Sequence, residues 1–454
     1  MKKNKKIYLN KLVNVHKLIF TLAFVIVFNS VQAQEVWTLK QCIDTAQIHN
    51  KNLKINRNNI DISQQRKKEA QANLIPKMTA NADYKYFMEL PTQLMPMNAL
   101  NPQAPEGQFR DIQFGVPHNI NANVQLVMPL YNPQIYGAIE NTKVANELAE
   151  LQYQKTEEQV LFDITTLYYN AQILKHQLEF IDGNIENTHK LLTTIQLLKE
   201  QLLGKGTDVS KIQLQAEQLT TQRENVFSKY TQVLNALKLN MGISLEQTLT
   251  VETEINQTNL TDNGTRNSLD LKLINTQNTL LHNELKTLNR SRFLPSLNLI
   301  ASYGTTGFGY DKTPNDFLDF YPIGFAGVQL SYPLFNGTVT QRKINQKKLE
   351  INNNELQAKM INDKTEMEIE NAIYQREVAQ STITNTENQI NLAQTIYDQT
   401  VLQQKQGTAN LTDILLADNA LREAQQNYLN AVIDFLKADL EFKKLTGTIT
   451  SIKN

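Results

Sequence analysis

Four short segments alternate apolar and polar residues with period two, the spacing of a strand with two chemically different faces. After Pro76, Met78, Ala80, Ala82, Tyr84, Tyr86 and Met88 share one side, and Lys77, Thr79, Asn81, Asp83 and Lys85 the other. Before Pro129, Ile120, Ala122, Val124, Leu126 and Met128 alternate with Asn119, Asn121, Asn123 and Gln125. After Pro295, Leu297, Leu299, Ala301 and Tyr303 oppose Ser296, Asn298 and Ser302; around Pro333, Val328, Leu330, Tyr332 and Leu334 oppose Gln329 and Ser331. Between these strands, loops are expected from about Glu89 to His118 and from about Thr305 to Pro322.

A different period governs the rest. From Pro133 to Leu203 apolar positions step by three and four, through Ile164, Leu167, Ala171, Leu174, Leu178, Ile181, Ile185, Thr188, Leu192 and Ile195. That heptad seam predicts a long coiled-coil helix. A turn at Gly204-Lys205-Gly206 follows, then a return helix through Val209, Ile212, Ala216, Leu219, Val226, Tyr230, Val233 and Leu237, ending near Gly242. The plan recurs from Gly337 to Gln406, with a turn at Gly407 and a return helix to Gly447. At about 1.5 Å per residue, some seventy residues of helix reach on the order of 100 Å. Thr38 with Gln41 three residues on forms a capping box for a helix running toward Ala72, and residues from about Ser268 to Arg292 take the equivalent place before Pro295.

The chain is therefore a duplication. Pro76 answers Pro295, Pro129 answers Pro333 and Gly206 answers Gly407, in the same order and at offsets of roughly 200 to 220 residues. The expected organisation is a signal peptide at 1–33, a first repeat at 34–242, a polar linker at 243–267, a second repeat at 268–447 and a tail at 448–454. The linker and tail are expected to pack around the waist of the assembly.

The leader fixes the compartment. Lysines precede a short apolar core from Leu18 to Phe28, and Val31-Gln32-Ala33 supplies a small-residue cleavage pattern. Beyond it no apolar run approaches the twenty or so residues of a spanning helix, so membrane insertion falls to β-strands closing into a barrel. Four strands cannot close one, and open edges are not tolerated in lipid, so several copies must combine.

Composition agrees: 16 glycines and 12 prolines in 454 residues suit long helices, and 45 basic against 45 acidic residues, with no long basic run past the leader, give no support to nucleic-acid binding. Cys42 is the only cysteine, so no intrachain disulfide forms, and it stands too far past the cleavage point for a lipid anchor. The histidines lack metal-ligand spacing and no serine sits in a nucleophile elbow, so neither a metal, a cofactor nor an enzymatic activity is expected. Gly304, Gly307 and Gly309 read as a hairpin loop rather than a nucleotide cradle.

The duplicated order of helix, LIP or FLP, strand, MPL or YPL, long helix, GT turn and return helix resembles the TolC-type outer-membrane efflux proteins over essentially the whole mature chain. The resemblance implies a mainly α fold with a transmembrane β part, in a homotrimer. Four strands per chain would build one twelve-stranded β-barrel in outer-membrane lipid, and the coiled-coil hairpins an α-barrel through the periplasm. It implies a passive exit duct for efflux or type I secretion, opened by a periplasmic adaptor and an inner-membrane transporter. Tip and docking residues would then be Gly204, Gly206, Thr207, Asp208, Gly407, Thr408 and Asp413, with Pro76, Pro129, Pro295 and Pro333 shaping the strand–helix junctions. Asp413 matches an aspartate of the best-characterised member; Ala409, Leu416 and Ile212 depart from its closing network. Asp208 reads first as a helix N-cap. Two other classes compete, a periplasmic adaptor or scaffold and a tethering fibre. Adaptors carry one hairpin between soluble β-domains, whereas two hairpins and two strand pairs stand here.

Overall fold

The computed structural model describes residues 36–100, 102–103, 105–255, 268–313 and 316–450; the leader, the cleavage site, the distal half of the linker and the last four residues lie outside them. In chain order the elements are β1 (Val36–Trp37), α1 (Leu39–His49), α2 (Lys51–Ala72), β2 (Lys77–Tyr86), β3 (Thr92–Pro96), α3 (Met97–Leu100), β4 (Phe109–Gln113), β5 (His118–Tyr131), α4 (Pro133–Glu200), α5 (Gly206–Met241), β6 (Thr250–Val251), α6 (Leu269–Phe293), β7 (Ser296–Tyr310), β8 (Phe317–Ser331), α7 (Val339–Lys405) and α8 (Leu411–Leu445). They form two compact units, and each draws on both sequence repeats. No described helix is long and apolar enough to cross a membrane.

One unit (residues 55–155 and 268–366) carries an antiparallel sheet in the order β2-β5-β7-β8. Its register sets like against like. Thr79, Asn81 and Asp83 face Gln125, Asn123 and Asn121, while Met78, Ala80 and Tyr84 face Leu126, Val124 and Ile120. β3 and β4 make a separate two-stranded sheet within the segment expected to be an outer loop. The second expected loop shrinks likewise: β7 and β8 pair as far as Tyr310 and Phe317, so Gly304, Gly307 and Gly309 are strand residues, not loop. Glycine is required at 304, because a Cβ there would lie 2.2 Å from the Ala122 carbonyl oxygen. The last strand stops at Ser331, short of the expected Leu334. The cap of α1 is as read: Thr38 Oγ1 accepts from the Gln41 N–H and Gln41 Oε1 from the Thr38 N–H. Asn50, with ψ at 127°, then splits the single expected helix into α1 and α2.

The other unit (described residues 36–54, 156–255 and 367–450) is a helical bundle. Its core includes Ile173, Ile383, Leu429, Val432 and Phe435, contributed by α4, α7 and α8 and each at most 3% exposed. Burying a side chain of this size is worth about 1.5–3 kcal/mol, which makes the seam the main stabilising feature of the bundle. The linker is not wholly irregular. β6 pairs in parallel with β1, and α4 straps the following residues through Lys175 to the Val251 carbonyl, His176 to Thr253 and Gln172 to Glu254. Residues 168, 172, 175 and 176 share one face of a helix, so a single stretch of α4 can present all these partners to an extended chain.

Candidate functional site: a two-faced sheet and two helix turns

The sheet has one face built for water. Asn81 Nδ2 donates to Asn123 Oδ1 at 3.4 Å, Asn121 Nδ2 to Asp83 Oδ2 at 3.2 Å, and Thr306 Oγ1 to Asn121 Oδ1 at 3.1 Å, a polar ladder across β2, β5 and β7. The opposite face carries Met78, Val124 and Tyr303, which stay 68%, 44% and 72% exposed among the described residues. On β8 both faces are apolar, through Phe320, Tyr321, Ile323 and Phe325. β2 pairs with β5 alone and β8 with β7 alone among the described residues, so the sheet has two open edges. An open, apolar edge is a template for another chain.

Four prolines frame this sheet. Pro76 and Pro295 immediately precede β2 and β7, where no ladder donor is needed. Pro129 lies inside β5, paired opposite Asn298, and the register slips one residue between it and Tyr131. A missing N–H explains the bulge. Pro333 falls two residues after β8.

In the helical bundle each hairpin ends in a turn, and the two turns differ. At the first, Leu202 takes a left-handed φ of 62° while 93% exposed, and Leu203 N–H returns to the Leu198 carbonyl at 2.8 Å. Gly204 sits close to the helix end, where a Cβ would lie 3.1 Å from the Lys199 nitrogen. Gly206 and Thr207 open α5, and Asp208 occupies its first turn rather than the N-cap read from sequence. The N-cap is Lys205, which provides no side-chain bond; Asp208 acts through the helix dipole and an ion pair with Lys211 at 3.5 Å. At the second turn Gly407 itself is left-handed, with φ 78°. Thr408 N–H and Oγ1 both donate to the Gln403 carbonyl at 3.0 Å. Asn410 and Asp413 then close a reciprocal capping box: Asn410 N–H donates to Asp413 Oδ2 at 2.8 Å, and Asp413 N–H to Asn410 Oδ1 at 3.1 Å.

Sequence reasoning missed the polar groups behind the turns, because charged residues on a helix ordinarily face solvent. Asp418, 5% exposed, accepts from Gln215 Nε2 at 2.5 Å and lies 3.0 Å from Arg422, so it joins α5 to α8. Burial pushes its carboxyl above the usual range, against the opposing pull of Arg422 and Gln215. The same burial, with the Asp418 charge next in weight, raises the Tyr397 hydroxyl to about 12. Deeper in the bundle Asp439 holds both Arg376 at 3.4 Å and Lys443 at 2.7 Å, with the Arg376 guanidinium 4.1 Å over the Phe442 ring. Among the described residues no three His, Cys, Asp or Glu side chains are grouped as a metal site would require.

A sheet whose first three strands are apolar on one face and polar on the other, open at both edges, has the alternation expected of membrane-barrel strands. Known proteins agree. The sequence model of the family described as outer membrane efflux protein matches residues 283–448, most of the second repeat. A search of curated proteins finds no match. Among solved structures, the outer membrane protein VceC of Vibrio cholerae superposes with a TM-score of 0.71 at 16% identity, over 90% of this chain and 96% of that one. The CmeC outer membrane channel of Campylobacter jejuni gives 0.70 at 15%, over 90% and 85%. The open-state MtrE outer membrane channel of Neisseria gonorrhoeae gives 0.68 at 14%, over 90% and 88%. The second half of the chain is thus similar to the outer membrane efflux protein family, and the chain as a whole has the fold of these outer-membrane channels.

Proposed function

We propose that three copies of this chain form a passive exit duct for efflux or type I secretion, each contributing β2, β5, β7 and β8 to one twelve-stranded barrel. The observation that carries this is the sheet, whose two open edges and uncovered apolar face have no partner among the described residues. Eight strands are about the fewest that leave an interior, so more than one copy is needed, and the number three comes from the family likeness. The polar ladder of Asn81, Asn121, Asn123 and Thr306 would then line the bore. The turns at Gly204, Gly206, Thr207, Asp208, Gly407, Thr408 and Asp413 would meet a periplasmic adaptor, which couples the duct to an inner-membrane transporter. An adaptor identity for the chain itself is disfavoured, because the fold it shares over 90% of its length is that of outer-membrane channels. The test is extraction of the mature protein from outer membranes, followed by heat-modifiable gel migration, cross-linking and planar-bilayer conductance. A cross-linked trimer with discrete conductance is expected; recovery as a soluble monomer without conductance refutes the proposal.

A further inference from the structure

All four strand–helix junctions lie at one end of the sheet, since Lys77 pairs opposite Val127, Tyr131 opposite Leu297, and Ser296 opposite Ser331. Three of the four helices that meet this end are strongly basic, while the opening of α4 (133–143) holds only Glu140 and Lys143, paired at 3.3 Å. The close of α2 and the start of β2 carry Arg66, Lys67, Lys68 and Lys77; the close of α6 carries Lys286, Arg290 and Arg292. The opening of α7 adds Arg342, Lys343, Lys347 and Lys348. Against these eleven cations, the segments 66–77, 284–293 and 339–350 hold three acids, Glu69, Glu284 and Glu350. Two of the three are spent on one lysine, Lys347, at 2.7 Å and 2.5 Å. The far end of the sheet has the opposite balance, with seven acids and three bases in segments 83–119 and 308–320.

Helix dipoles account for only part of the pattern. Arg290 and Arg292 in the last turn of α6 are placed as a dipole favours. Arg342 stands in the first turn of α7, which contains no acidic residue, and three lysines follow within two turns. A positive charge there works against the dipole, by about 0.3–1 kcal/mol at an exposed site, so the dipole does not account for it. Aromatic residues lie between the basic residues and the strands: Phe293, Tyr332 and Phe335 are 61%, 51% and 84% exposed, and the Tyr131 and Tyr136 rings meet at a tilt, 5.9 Å apart. An apolar band, then aromatics, then cations is the order in which hydrocarbon, interface and headgroups are met on leaving a bilayer.

We infer that this end of the sheet is a basic collar that binds the phosphate headgroups of anionic phospholipids in the periplasmic leaflet. The inference rests on the membrane placement of the sheet proposed above. Its reach is right: a headgroup layer is about 5–8 Å deep, the Debye length about 8 Å, and the first ten residues of α7 extend about 15 Å. Each exposed Lys or Arg near such a surface is worth about 1 kcal/mol, roughly fivefold in affinity.

The experiment compares phosphatidylglycerol with phosphatidylcholine. The full mature protein is inserted into vesicles of either lipid, and lipid retention after detergent extraction is counted by native mass spectrometry in mixed lipid. The wild type is expected to insert into both and to retain phosphatidylglycerol preferentially, by about tenfold or more at low salt and less as salt rises. Replacing Arg342→Gln, Lys343→Gln and Lys348→Gln together should lower that preference at least fivefold, about one residue's worth. Arg342→Lys with Lys343→Arg and Lys348→Arg should retain it, which separates charge from folding. Glutamine at Lys190, Lys199 and Lys229, in the other unit, should leave it unchanged. Insertion into both lipids without preference overturns the collar alone, and so does a change in conductance or ion selectivity with lipid retention intact, which would place these side chains in the bore. Preferential binding to peptidoglycan sacculi over vesicles also overturns it. Failure to insert into either vesicle overturns the membrane placement and the collar with it.

Discussion

Gly242 closes α5 with a left-handed φ of 76°, and its missing side chain is where the end of α1 passes. A Cβ at this position would lie 2.4 Å from the His49 carbonyl oxygen and 3.1 Å from the Asn50 nitrogen, whereas ordinary contact begins near 3.4 Å. Gly242→Ala therefore carries two costs. The left-handed backbone costs an L-residue about 1–2 kcal/mol. The overlap forces the two segments apart by about 1 Å, which stretches the 2.6 Å bond from Asn50 Nδ2 to the Asn240 carbonyl past its useful range. Asn50 is 3% exposed, so losing its partner adds about 1–3 kcal/mol. The expected total is about 3 kcal/mol, read as a shift in the urea midpoint of the helical circular dichroism signal of detergent-solubilised protein at unchanged slope. Gly242→Asn divides the two costs, because asparagine tolerates the left-handed region but not the overlap; about half the loss should remain. In an Asn50→Ala background, Gly242→Ala should cost measurably less than alone. A loss below about 0.5 kcal/mol, or complete rescue by asparagine, would refute the claim that backbone approach governs this junction.

Four further outcomes are expected. Asp418→Asn should raise thermal stability at neutral pH, since a buried carboxyl with a raised pKa costs folding free energy once ionised; the gain should shrink as pH falls back toward the ordinary value of 3.8, and a loss independent of pH would contradict it. Cys42, fully buried and with its thiol pushed up to about 12, should resist maleimide at pH 8 until the protein is denatured. Arg376→Met should cost about 2 kcal/mol, below the 3–5 typical of a broken buried pair, because Lys443 still neutralises Asp439, and adding Lys443→Met should cost more than the sum. Leu202→Asn should relieve the strained turn by about 0.5–1 kcal/mol, seen as slower amide exchange around residues 198–204.

Periodic features were legible and isolated ones were not. Period two and the heptad seam each sum over many residues, so β2, β5, α4 and α7 could be placed closely from pattern alone. The outer half of β7 was hidden by its own glycines, which read as loop. In the folded sheet Gly304 meets the Ala122 carbonyl and Gly307 the Phe320 ring, so the absence of a side chain there is a packing requirement of neighbouring strands. The β3–β4 hairpin lacks alternation, and the break at Asn50 involves neither Gly nor Pro. Its cause is both local and tertiary: Asn50 Oδ1 accepts the Leu53 N–H at 3.1 Å and so caps α2, while its Nδ2 reaches the Asn240 carbonyl.

At the turns the sequence match misleads in an instructive way. Gly206 and Gly407 align in the repeats, yet Gly407 is the left-handed cap that ends α7 while Gly206 is the first residue of α5. The left-handed position of the first turn falls to Leu202, four residues earlier, where propensity argues against it. One turn thus exposes Leu202 and Leu203 at 93% and 75%, and the other a reciprocal cap of Asn410 and Asp413. Because the Asp413 carboxylate already accepts the Asn410 N–H, replacing it removes a cap as well as a charge, and a defect in Asp413→Asn would not by itself show that a partner reads the aspartate. Leu202 and Leu203 carry no such double duty toward neighbouring side chains. A partner that binds the two hairpins must therefore read an apolar knob at one and a polar cap at the other, so substitutions at aligned positions should not have equal effects.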